Sequence, residues 1–576
     1  MVLALFRHCC VLAENKNLKK CNMNNTMNTV QTDVLIIGGG PSGLSAAIRL
    51  ADLLSEKKLN GRIMLIDKGN AIGSHILSGA VINPSAFKEL LPEADFNEIP
   101  FNAKVEKDSM LLLSETGSLK VPFHPPYMGN KGYYTASLGE VCRYLAQKAE
   151  EKGVEIYPSF SVNEISYNSE GKVVGAKTID TGVDHHGNPA ANFQPGTRIE
   201  AKLTIFAEGT RGTLAKQLIQ KFDLEKDRNP QIYSLGCKEL WSVPEGTIKP
   251  GEVYHTMGYP MNLHEFGGGF IYGLKDNRVA VGLVVGLDYA DPAFDVHNAF
   301  QVWKTHPAVS KILRGGKLLE YGAKTLPEGG YYSIPKLYVD NAMIVGDSAG
   351  FLTMPALKGV HLAVASGMLA AETAAEALEK NDFSEAVLQG YEQRVNKSKI
   401  RKEMYPVRNF RQGFAKGLIC GAFHFVSQFV TGGAGLAGKL AAHPDSQTTK
   451  KPAEYKGKPF KRRFKGKLEF DKALTFDKVT DVYYSGANHD EQQVPHLRIN
   501  NPATFNAVNI KEYGAPCQFY CSAEVYELHT DKNGHQELRI HFENCLHCKT
   551  CDIKESGDGI TWMLPNGGNG PDYKSM

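Results

Sequence analysis

The sequence lacks any hydrophobic run long enough to cross a bilayer, because nowhere do about 18 or more apolar residues follow one another. A membrane-spanning helix is therefore not expected. The chain also lacks a strong charge of either sign, since 65 lysines and arginines face 62 aspartates and glutamates, for a formal net charge of +3. A general nucleic-acid-binding protein would carry a basic excess, so we expect no nucleic-acid partner.

Cysteine is sparse, with 11 in 576 residues, which argues against a small fold held by disulfides. Five of the 11 cysteines fall within the last 60 residues, and this indicates a local metal site. Hydrophobic residues make up 42 % and charged residues 22 % of the chain, so a disordered protein is excluded. At about 150 residues per domain, the length predicts three to four domains.

Residues 1–30 are polar and modestly basic, with Glu14 as the one acidic residue among them. This composition is typical of a mitochondrial presequence. The alternative is a mis-assigned start, with Met23 or Met27 as the true first residue. The sequence leaves both interpretations open, and we treat 1–30 as a leader.

Apolar runs that end in glycine recur along the chain and predict buried strands. Residues 33–37 predict a strand, 41–54 a helix and 62–67 a second strand, which together form a βαβ unit. A similar strand and glycine turn at 342–347 is followed by helical patterns to about residue 405. Other predicted elements are a helix at 138–152, strands at 154–157, 172–181 and 198–206, and a sheet within 230–290.

Two segments of unusual composition precede the C-terminal cysteines. Residues 417–438 carry no formally charged side chain, and 12 of these 22 residues are apolar while six are glycine. This suits either a segment in a membrane interface or a glycine-rich buried stretch. Residues 450–467 are strongly basic, which indicates a solvated surface or contact with anionic lipid.

The first glycine turn, Gly38-x-Gly40-x-x-Gly43, has the context of a dinucleotide site, between a predicted strand and a predicted helix. Gly38 permits the tight turn, Gly40 lets the backbone approach a pyrophosphate, and Gly43 allows close packing of helix on strand. The N-terminus of the helix favours the phosphate charge. Asp67, at the end of the second strand, is predicted to accept hydrogen bonds from the ribose hydroxyls.

A second glycine turn, Gly346-Asp347-Ser348-Ala349-Gly350, follows an apolar strand some 300 residues later. The pair of turns resembles the FAD-binding proteins of the glutathione-reductase and hydroxylase type, and this favours FAD over NAD. The resemblance implies that Asp347 binds the ribityl and pyrophosphate region. It also implies that the helix at about 359–372 directs its positive N-terminal end towards the flavin.

Cys545-x-x-Cys548-x-x-Cys551 places three thiols on one short loop. Zinc sites more often use two separate Cys-x-x-Cys pairs, whereas this spacing matches part of a bacterial ferredoxin run. A [4Fe–4S] cluster is therefore the favoured interpretation, with zinc as the alternative. The fourth ligand must come from elsewhere, from Cys521 or Cys517.

Several longer runs are far more specific than these motifs. They are LSGA (77–80), IFAEGTRGTLAKQL (205–218), KELW (238–241), VGLVVGLDY (281–289), EGGYYSIPKL (328–337), SGMLAAE (366–372), ENCLHCKTCDIK (543–554) and GGNGP (567–571). Through them the sequence resembles the electron-transfer-flavoprotein:ubiquinone oxidoreductase family over residues 31–576. The resemblance implies an enzyme that oxidises reduced electron-transfer flavoprotein and reduces ubiquinone to ubiquinol.

The resemblance also implies a fold, α/β in class and α+β overall. It consists of a Rossmann-like FAD-binding domain of the glutathione-reductase/hydroxylase type, an interleaved β-rich quinone-binding domain and a C-terminal ferredoxin-like iron–sulfur domain. We assign residues 31–110, 135–215 and 320–405 to the FAD-binding domain, residues 111–134, 216–319 and 406–474 to the quinone-binding and membrane-contact domain, and residues 475–576 to the [4Fe–4S] domain.

The resemblance implies further site residues. Ser78 and Gly79 are expected to contact FAD. Gly267 and Gly268 are expected to present backbone N–H groups to a quinone oxygen, although a simple glycine-rich hairpin is the alternative. Cys521 is chosen as the fourth ligand, because the Tyr-Glu pair at 526–527 continues the family's pattern after it.

The resemblance implies a monotopic protein on a membrane surface. This surface is either the matrix face of the mitochondrial inner membrane or the cytoplasmic face of a bacterial membrane. The sequence departs from the family at 522–524, where Ser-Ala-Glu replaces Pro-Ala-Gly, and at 353–355, where Thr-Met-Pro replaces Asn-Val-Pro. The second departure puts in doubt an asparagine bond near the flavin.

Two other functions remain open. One is an FAD-dependent reductase or hydroxylase of a hydrophobic metabolite or lipid, with the cluster as the point of electron entry. The other is a membrane-bound binding protein with a structural zinc module.

Overall fold

The computed structural model describes residues 28–122, 128–431, 438–557 and 559–576. The predicted leader, residues 1–30, lies outside these ranges except for its last three residues.

The strands of the described residues are β1 Thr29–Ile37, β2 Ile63–Ile66, β3 Val81–Ile82, β4 Phe101–Lys104, β5 Lys107–Leu113, β6 Ser118–Lys120, β7 Tyr134–Ala136, β8 Glu155–Tyr157, β9 Val162–Tyr167, β10 Val173–Thr178, β11 Thr181–Val183, β12 Pro189–Gln194, β13 Arg198–Phe206, β14 Tyr233–Ser242, β15 Glu252–Gly258, β16 Gly267–Gly273, β17 Arg278–Gly286, β18 Lys317–Pro327, β19 Tyr338–Val339, β20 Ala342–Ile344, β21 Leu497–Ile499, β22 Tyr526–Thr530, β23 Gln536–Ile540 and β24 Ile560–Trp562.

The α-helices of the same residues are α1 Pro41–Lys57, α2 Ser85–Leu90, α3 Leu138–Glu151, α4 Thr213–Lys221, α5 Val296–Thr305, α6 Pro307–Leu313, α7 Val360–Lys380, α8 Glu385–Lys397, α9 Lys399–Met404, α10 Phe410–Gly413, α11 Leu418–Val430, α12 Phe460–Arg463, α13 Lys478–Tyr484, α14 Pro502–Phe505, α15 Cys517–Tyr520 and α16 Thr550–Lys554.

The first sheet has a parallel centre in the order β20-β13-β1-β2-β8. Its middle strands are apolar and buried, as expected where helices cover both faces. The predicted βαβ unit is confirmed. β1 begins at Thr29, earlier than predicted, because the partly polar residues 29–32 pair with β13 before the apolar run starts.

Helices α1 and α7 pack against one another at the glycine-turn end of this sheet. At Gly367 of α7 an added Cβ would lie 2.2 Å from the carbonyl oxygen of Ser42 in α1, so only glycine allows this approach. Helix α7 continues to Lys380, beyond the predicted end at 372. The longer helix is explained by an unbroken run of alanine-rich sequence that stays buried against the first core.

The second sheet has seven strands in the order β18-β14-β17-β16-β15-β5-β6. It confirms the sheet predicted within residues 230–290 and adds strands on both sides. β5 crosses the assigned domain boundary at 110/111, and β18 crosses the one at 319/320, yet each pairs along its whole length in this sheet. Both boundaries therefore fall inside strands, because local sequence does not reveal which sheet a strand joins.

The C-terminal module contains two small antiparallel ribbons, β21 with β24 and β22 with β23, and the short helices α13 to α16. It packs on both sheets. Buried side chains join it to the second sheet and its helices, for example His297 of α5 with Asp481 of α13 at 2.7 Å. The C-terminal Met576 returns to α3, where its carbonyl oxygen accepts a hydrogen bond from Ser137 at 3.0 Å.

The uncharged segment 417–438 forms helix α11 over its first part, and residues 432–437 lie outside the described ranges. Within the part of the chain that the structure describes, no helix combines the length and the hydropathy that crossing a bilayer demands.

Candidate functional site

The three glycines of the predicted motif, Gly38, Gly40 and Gly43, lie at the junction of β1 and α1 in two different environments. A Cβ at Gly38 would lie 2.3 Å from the carbonyl oxygen of Ala207, and one at Gly43 would lie 2.0 Å from the carbonyl oxygen of Gly38. Gly38 also has a left-handed φ of +113°. These two glycines are required by the backbone around them. A Cβ at Gly40 meets nothing within 4 Å and would project into open space beside the turn.

Asp67, directly after β2, is fixed beside this turn. One carboxylate oxygen accepts the backbone N–H of Gly39 and the other accepts that of Gly69, both at 2.7 Å. The carboxylate therefore holds the glycine turn against the end of β2. Asp67 also lines the same cavity as Gly40.

The second glycine turn meets the first. Gly346 opens a short 3₁₀ turn with a left-handed φ of +60°, and a Cβ there would lie 2.5 Å from the hydroxyl oxygen of Ser42. Gly350, with φ +81°, closes the turn. Asp347 lines the cavity, where burial raises its pKa to about 6 although the Lys324 ammonium opposes the rise. The start of α7 faces the same cavity.

One cavity of about 1320 Å³ joins most of the predicted nucleotide and quinone residues. This exceeds the roughly 300–1,000 Å³ of an ordinary ligand pocket. Eight of the predicted residues line it: Gly38, Gly40, Asp67, Ser78, Gly79, Asp347, Gly267 and Gly268. Gly43, Gly346 and Gly350 do not line it and instead shape the turns behind its wall. The far end of the cavity is bordered by Leu112, Leu119 and Leu263.

Gly267 and Gly268 begin β16 at the edge of this cavity. A Cβ at Gly267 would lie 2.5 Å from the carbonyl oxygen of Val284, and one at Gly268 would lie 2.6 Å from that of Thr256. Glycine is thus required here by the neighbouring strands β17 and β15. Gly267 and Gly268 also line the cavity, which is a separate observation. It is compatible with a quinone contact and with a simple glycine-rich hairpin.

Cys521, Cys545, Cys548 and Cys551 line a single small buried cavity. Cys517 does not line it, and its sulfur lies 3.4 Å from the side-chain oxygen of Asn509. Burial raises the pKa of the Cys545 thiol to about 12 and that of Cys521 to about 11. Four thiols buried together repel one another when ionised, so the donor set fits a metal cluster that binds them as thiolates.

Three lysines, the half-buried Lys68 and Lys324 and the buried Lys549, line the wall of the large cavity, and Lys549 also lines the small cavity of the four cysteines. Their pKa values are lowered by burial, and mutual repulsion lowers them further at Lys68 and Lys549. A cluster held by four thiolates carries net negative charge, and so does a pyrophosphate. The three lysine amines therefore suit both a negatively charged cluster and a negatively charged pyrophosphate.

Strand β18 fastens the cysteine loop to the cavity wall, and the sequence did not reveal this contact. Lys324 donates to the carbonyl oxygen of His547 at 3.3 Å, and Thr325 donates to that of Cys548 at 2.7 Å. No local pattern in β18 signals this role, because the partners are 223 residues apart.

Among the described residues, His489, His496 and His547 lie close enough together to hold a metal ion. The ring nitrogens of His547 are already engaged, however, with Lys68 at 2.9 Å and with His489 at 2.9 Å. His489 contacts the carbonyl oxygen of Glu543 through its other nitrogen at 2.9 Å. These contacts fit one hydrogen-bonded chain rather than a metal centre. His361 of α7 is buried and pairs with Glu403 at 2.7 Å.

Comparisons with known proteins agree with these two sites. Residues 472–574 match the family model described as electron transfer flavoprotein-ubiquinone oxidoreductase, 4Fe-4S. Residues 233–326 match its ubiquinone-binding model, which includes most of β18. Residues 36–89 match an NAD(P)-binding Rossmann-like domain.

Relatives of the whole chain were also found. The mitochondrial electron transfer flavoprotein-ubiquinone oxidoreductase of Arabidopsis thaliana is 41% identical over 561 residues, which cover 95% of this chain and 85% of that protein. The Pseudomonas aeruginosa protein of the same name is 40% identical, with 95% and 99% covered. A geranylgeranyl bacteriochlorophyll reductase-like protein from Thermoplasma acidophilum shares the fold, with 20% identity, a TM-score of 0.52 and coverage of 67% of this chain and 88% of that one.

The two sites and the Rossmann-like fold define an iron–sulfur flavoprotein of the oxidoreductase class, with FAD and a [4Fe–4S] cluster as its cofactors. The identity to the Arabidopsis and Pseudomonas proteins extends over nearly the full chain. The chain belongs to the electron transfer flavoprotein-ubiquinone oxidoreductase family.

The two environments of the first glycine turn lead to different expectations for substitution. Gly40→Val should abolish FAD binding and leave the apoprotein folded, because the new side chain fills only the cavity. Gly43→Val should destabilise the fold by about 1–3 kcal/mol or more, because the added atoms meet backbone. Flavin content and denaturant unfolding of the flavin-free proteins measure the two effects. Full flavin content in Gly40→Val would contradict the assignment.

Proposed function

We propose that this chain oxidises reduced electron-transfer flavoprotein and passes the electrons to ubiquinone, producing ubiquinol. The supporting observation is the continuous cavity of about 1320 Å³, which runs from the glycine turns to an apolar rim, with the cysteine loop bonded to its wall. Such a cavity offers room for a flavin and for the head of a hydrophobic quinone. The names of the family relatives support the same donor and acceptor.

FAD is proposed to lie along the wall formed by both glycine turns, where it supplies the two-electron carrier. Gly38 and Gly40 present backbone to the pyrophosphate, and Asp67 accepts from the ribose hydroxyls. Asp347 faces the ribityl region, and the start of α7 directs its positive end at the flavin ring. Gly43, Gly346 and Gly350 support these groups from behind, and Ser78 and Gly79 contact the ring.

The cluster ligands are proposed to be Cys521, Cys545, Cys548 and Cys551, which share one cavity. The proposed division of labour follows the assigned segments: the first sheet binds FAD, the second binds quinone, and residues 475–576 hold the cluster. Gly267 and Gly268 are proposed to offer quinone contacts, since they line the cavity.

The rim of the cavity supports a monotopic membrane contact. Leu119 and Leu263 are 67% and 60% exposed there. The backbone at Gly417, where α11 begins, packs beside Leu263, and α11 exposes Phe423 and Val426 at 64% and 56%. This surface is apolar and continuous enough to enter one leaflet without spanning it.

The basic segment 450–467 is fastened to the same rim. Arg463 pairs with Glu265, a cavity-lining residue, at 2.6 Å, and Lys467 pairs with Glu115. The exposed lysines at the end of the segment are thus held near the apolar surface and suit anionic lipid headgroups. We propose a location on a respiratory membrane, at the matrix face in mitochondria or the cytoplasmic face in bacteria.

The activity is tested anaerobically with detergent-purified protein, reduced electron-transfer flavoprotein and ubiquinone. We expect rapid quinone reduction that NAD(P)H does not support. Turnover that depends on NAD(P)H or oxygen would instead favour a reductase or hydroxylase of a hydrophobic metabolite.

The ligand assignment is tested by removing cysteines one at a time. Cys521→Ala and Cys548→Ala should lose the iron and the cluster's paramagnetic resonance signal while keeping FAD, because the two cofactors occupy separate sites. Cys517→Ala is the matched control, a buried cysteine only four residues from Cys521, and it should keep its iron. The reverse outcome for Cys517 and Cys521 would overturn the choice between them.

Membrane contact is tested by changing Phe423 and Val426 together to serine and measuring flotation with lipid vesicles. Burying each of these side chains contributes about 1.5–3 kcal/mol, so binding should weaken by at least about 10²-fold. Tyr483→Ser in α13, 81% exposed and on the cysteine module, is the control that should bind normally. Equal binding by the double variant would remove α11 from the membrane surface.

A further inference from the structure

Three polar side chains share one face of the second sheet: Asp108 of β5, His255 of β15 and Tyr272 of β16. Asp108 and Tyr272 both stand opposite Val253 in the strand pairing, and His255 follows Val253 by two residues. Because side chains alternate between the two faces of a strand, all three point to the same side. Sequence reasoning did not find this set, since its members come from three separate segments.

The three groups are arranged in a row. The Nε2 atom of His255 lies 2.8 Å from the hydroxyl of Tyr272, and its Nδ1 atom lies 3.8 Å from a carboxylate oxygen of Asp108. The other oxygen of Asp108 accepts hydrogen bonds from the backbone and side-chain N–H groups of Asn130 at 2.8 and 2.9 Å. Burial favours a higher pKa for Asp108, but His255 and Asn130 hold it below its ordinary value. The carboxylate therefore stays charged beside the imidazole.

Two members of this row, Tyr272 and His255, lie on the wall of the large cavity. Tyr272 is buried, its ring stacks on Phe270 at 4.8 Å between centroids, and it stands 3.4 Å from the Cβ position of Gly79. Gly79 is one of the expected flavin contacts. The His255 side chain lines the same cavity and is 27% exposed. Tyr272 thus lies beside an expected flavin contact, while the partly exposed imidazole can exchange protons with water that enters the cavity.

Charged groups around the row support a neutral tyrosine and a mobile proton. Lys358, just before α7, lines the cavity near Asp108, and burial lowers its pKa to about 8 against the pull of that carboxylate. Burial raises the pKa of Tyr272, with a further contribution from Asp108. On the opposite face of the sheet, Lys107 joins Tyr254 and Glu252 in a separate group.

Reduction of a flavin takes up protons, and conversion of ubiquinone to ubiquinol consumes two protons with two electrons. We propose that Tyr272 and His255 form a proton relay between water and the flavin bound in this cavity, with Asp108 as the positioning residue. The inference rests on the proposed function and goes beyond it by naming the route of the protons.

In each passage the O–H bond of Tyr272 breaks as its proton moves to the flavin, and the Nε2 proton of His255 replaces it. His255 then regains a proton from water, while Asp108 balances the charge on its ring. The electrons come from the donor flavoprotein. Neither residue changes its oxidation state, and the net transfer is one proton from water to the flavin.

The relay is tested by following flavin bleaching and proton uptake together, using stopped flow and a pH-indicator dye under anaerobic conditions. In the parent protein the two signals should coincide. In Tyr272→Phe proton uptake should be slower by about 10²-fold and lag behind the electrons, because the ring is kept and only the hydroxyl is lost. Flavin content is measured alongside and should be unchanged.

His255→Ala should show the same lag, and added imidazole should restore proton uptake, since the site is accessible. A merely structural histidine would not be rescued in this way. Tyr254→Phe is the matched control, because this tyrosine precedes His255 on the same strand but belongs to the opposite face. It should behave as the parent.

Two results would overturn the relay: proton uptake at the parent rate in both variants, or a slow His255→Ala protein that imidazole leaves slow. Failure of the proposed function has a different signature. In that case the parent protein itself shows no quinone reduction with reduced electron-transfer flavoprotein, whatever its rate of proton uptake.

Discussion

The relation between the two cofactor sites depends on strand β18. Its residues Lys324 and Thr325 hold the carbonyl oxygens of His547 and Cys548, so the cysteine loop is bonded to an element that is itself paired with β14 over its full length. Because the loop is hydrogen-bonded to the sheet, its position relative to the cavity which that sheet lines is fixed. Electron exchange between a cluster and a flavin needs such a fixed separation, and this is the feature of the fold that provides it.

Buried polar contacts of α5 also fix the cysteine module on the second sheet and its helices. His297 of α5 contacts Asp481 of α13 across this junction, and Lys304 of α5 pairs with Glu239 of β14, with all four side chains fully buried. Burial lowers the pKa of His297 to about 4, so it meets Asp481 through a hydrogen bond rather than as an ion pair. The Lys304–Glu239 ion pair adds little net stability, because desolvation offsets the attraction. Separating either pair is costly, however, since each partner would remain buried and uncompensated. The His297–Asp481 contact therefore acts against any alternative docking of α13 on α5, while the Lys304–Glu239 pair fixes α5 on β14.

Local features of this protein were predictable and long-range ones were not. The βαβ unit and the cysteine loop were found because each is encoded within about 30 residues, through apolar runs, glycines and thiol spacing. Cys521 and Cys517 could not be separated by spacing alone, because both lie near one short helix. Their environments separate them, since the Cys517 thiol contacts the side-chain oxygen of Asn509, whereas Cys521 lines the small cavity with the other three cysteines. The strand membership of β5 and β18 depends on pairing with distant segments, and no local pattern records it.

The glycines show why a motif alone does not define a binding site. At Gly43 the neighbour that excludes a side chain is backbone of the same turn, at Gly38 it is the carbonyl of Ala207 after β13, and at Gly267 it is the carbonyl of an adjacent strand. These positions would demand glycine even if no ligand bound. At Gly40 no protein atom excludes a side chain, so the demand for glycine must come from what occupies the cavity. A glycine pattern in a sequence thus mixes requirements of the fold with requirements of the ligand, and only the position of the missing Cβ separates them.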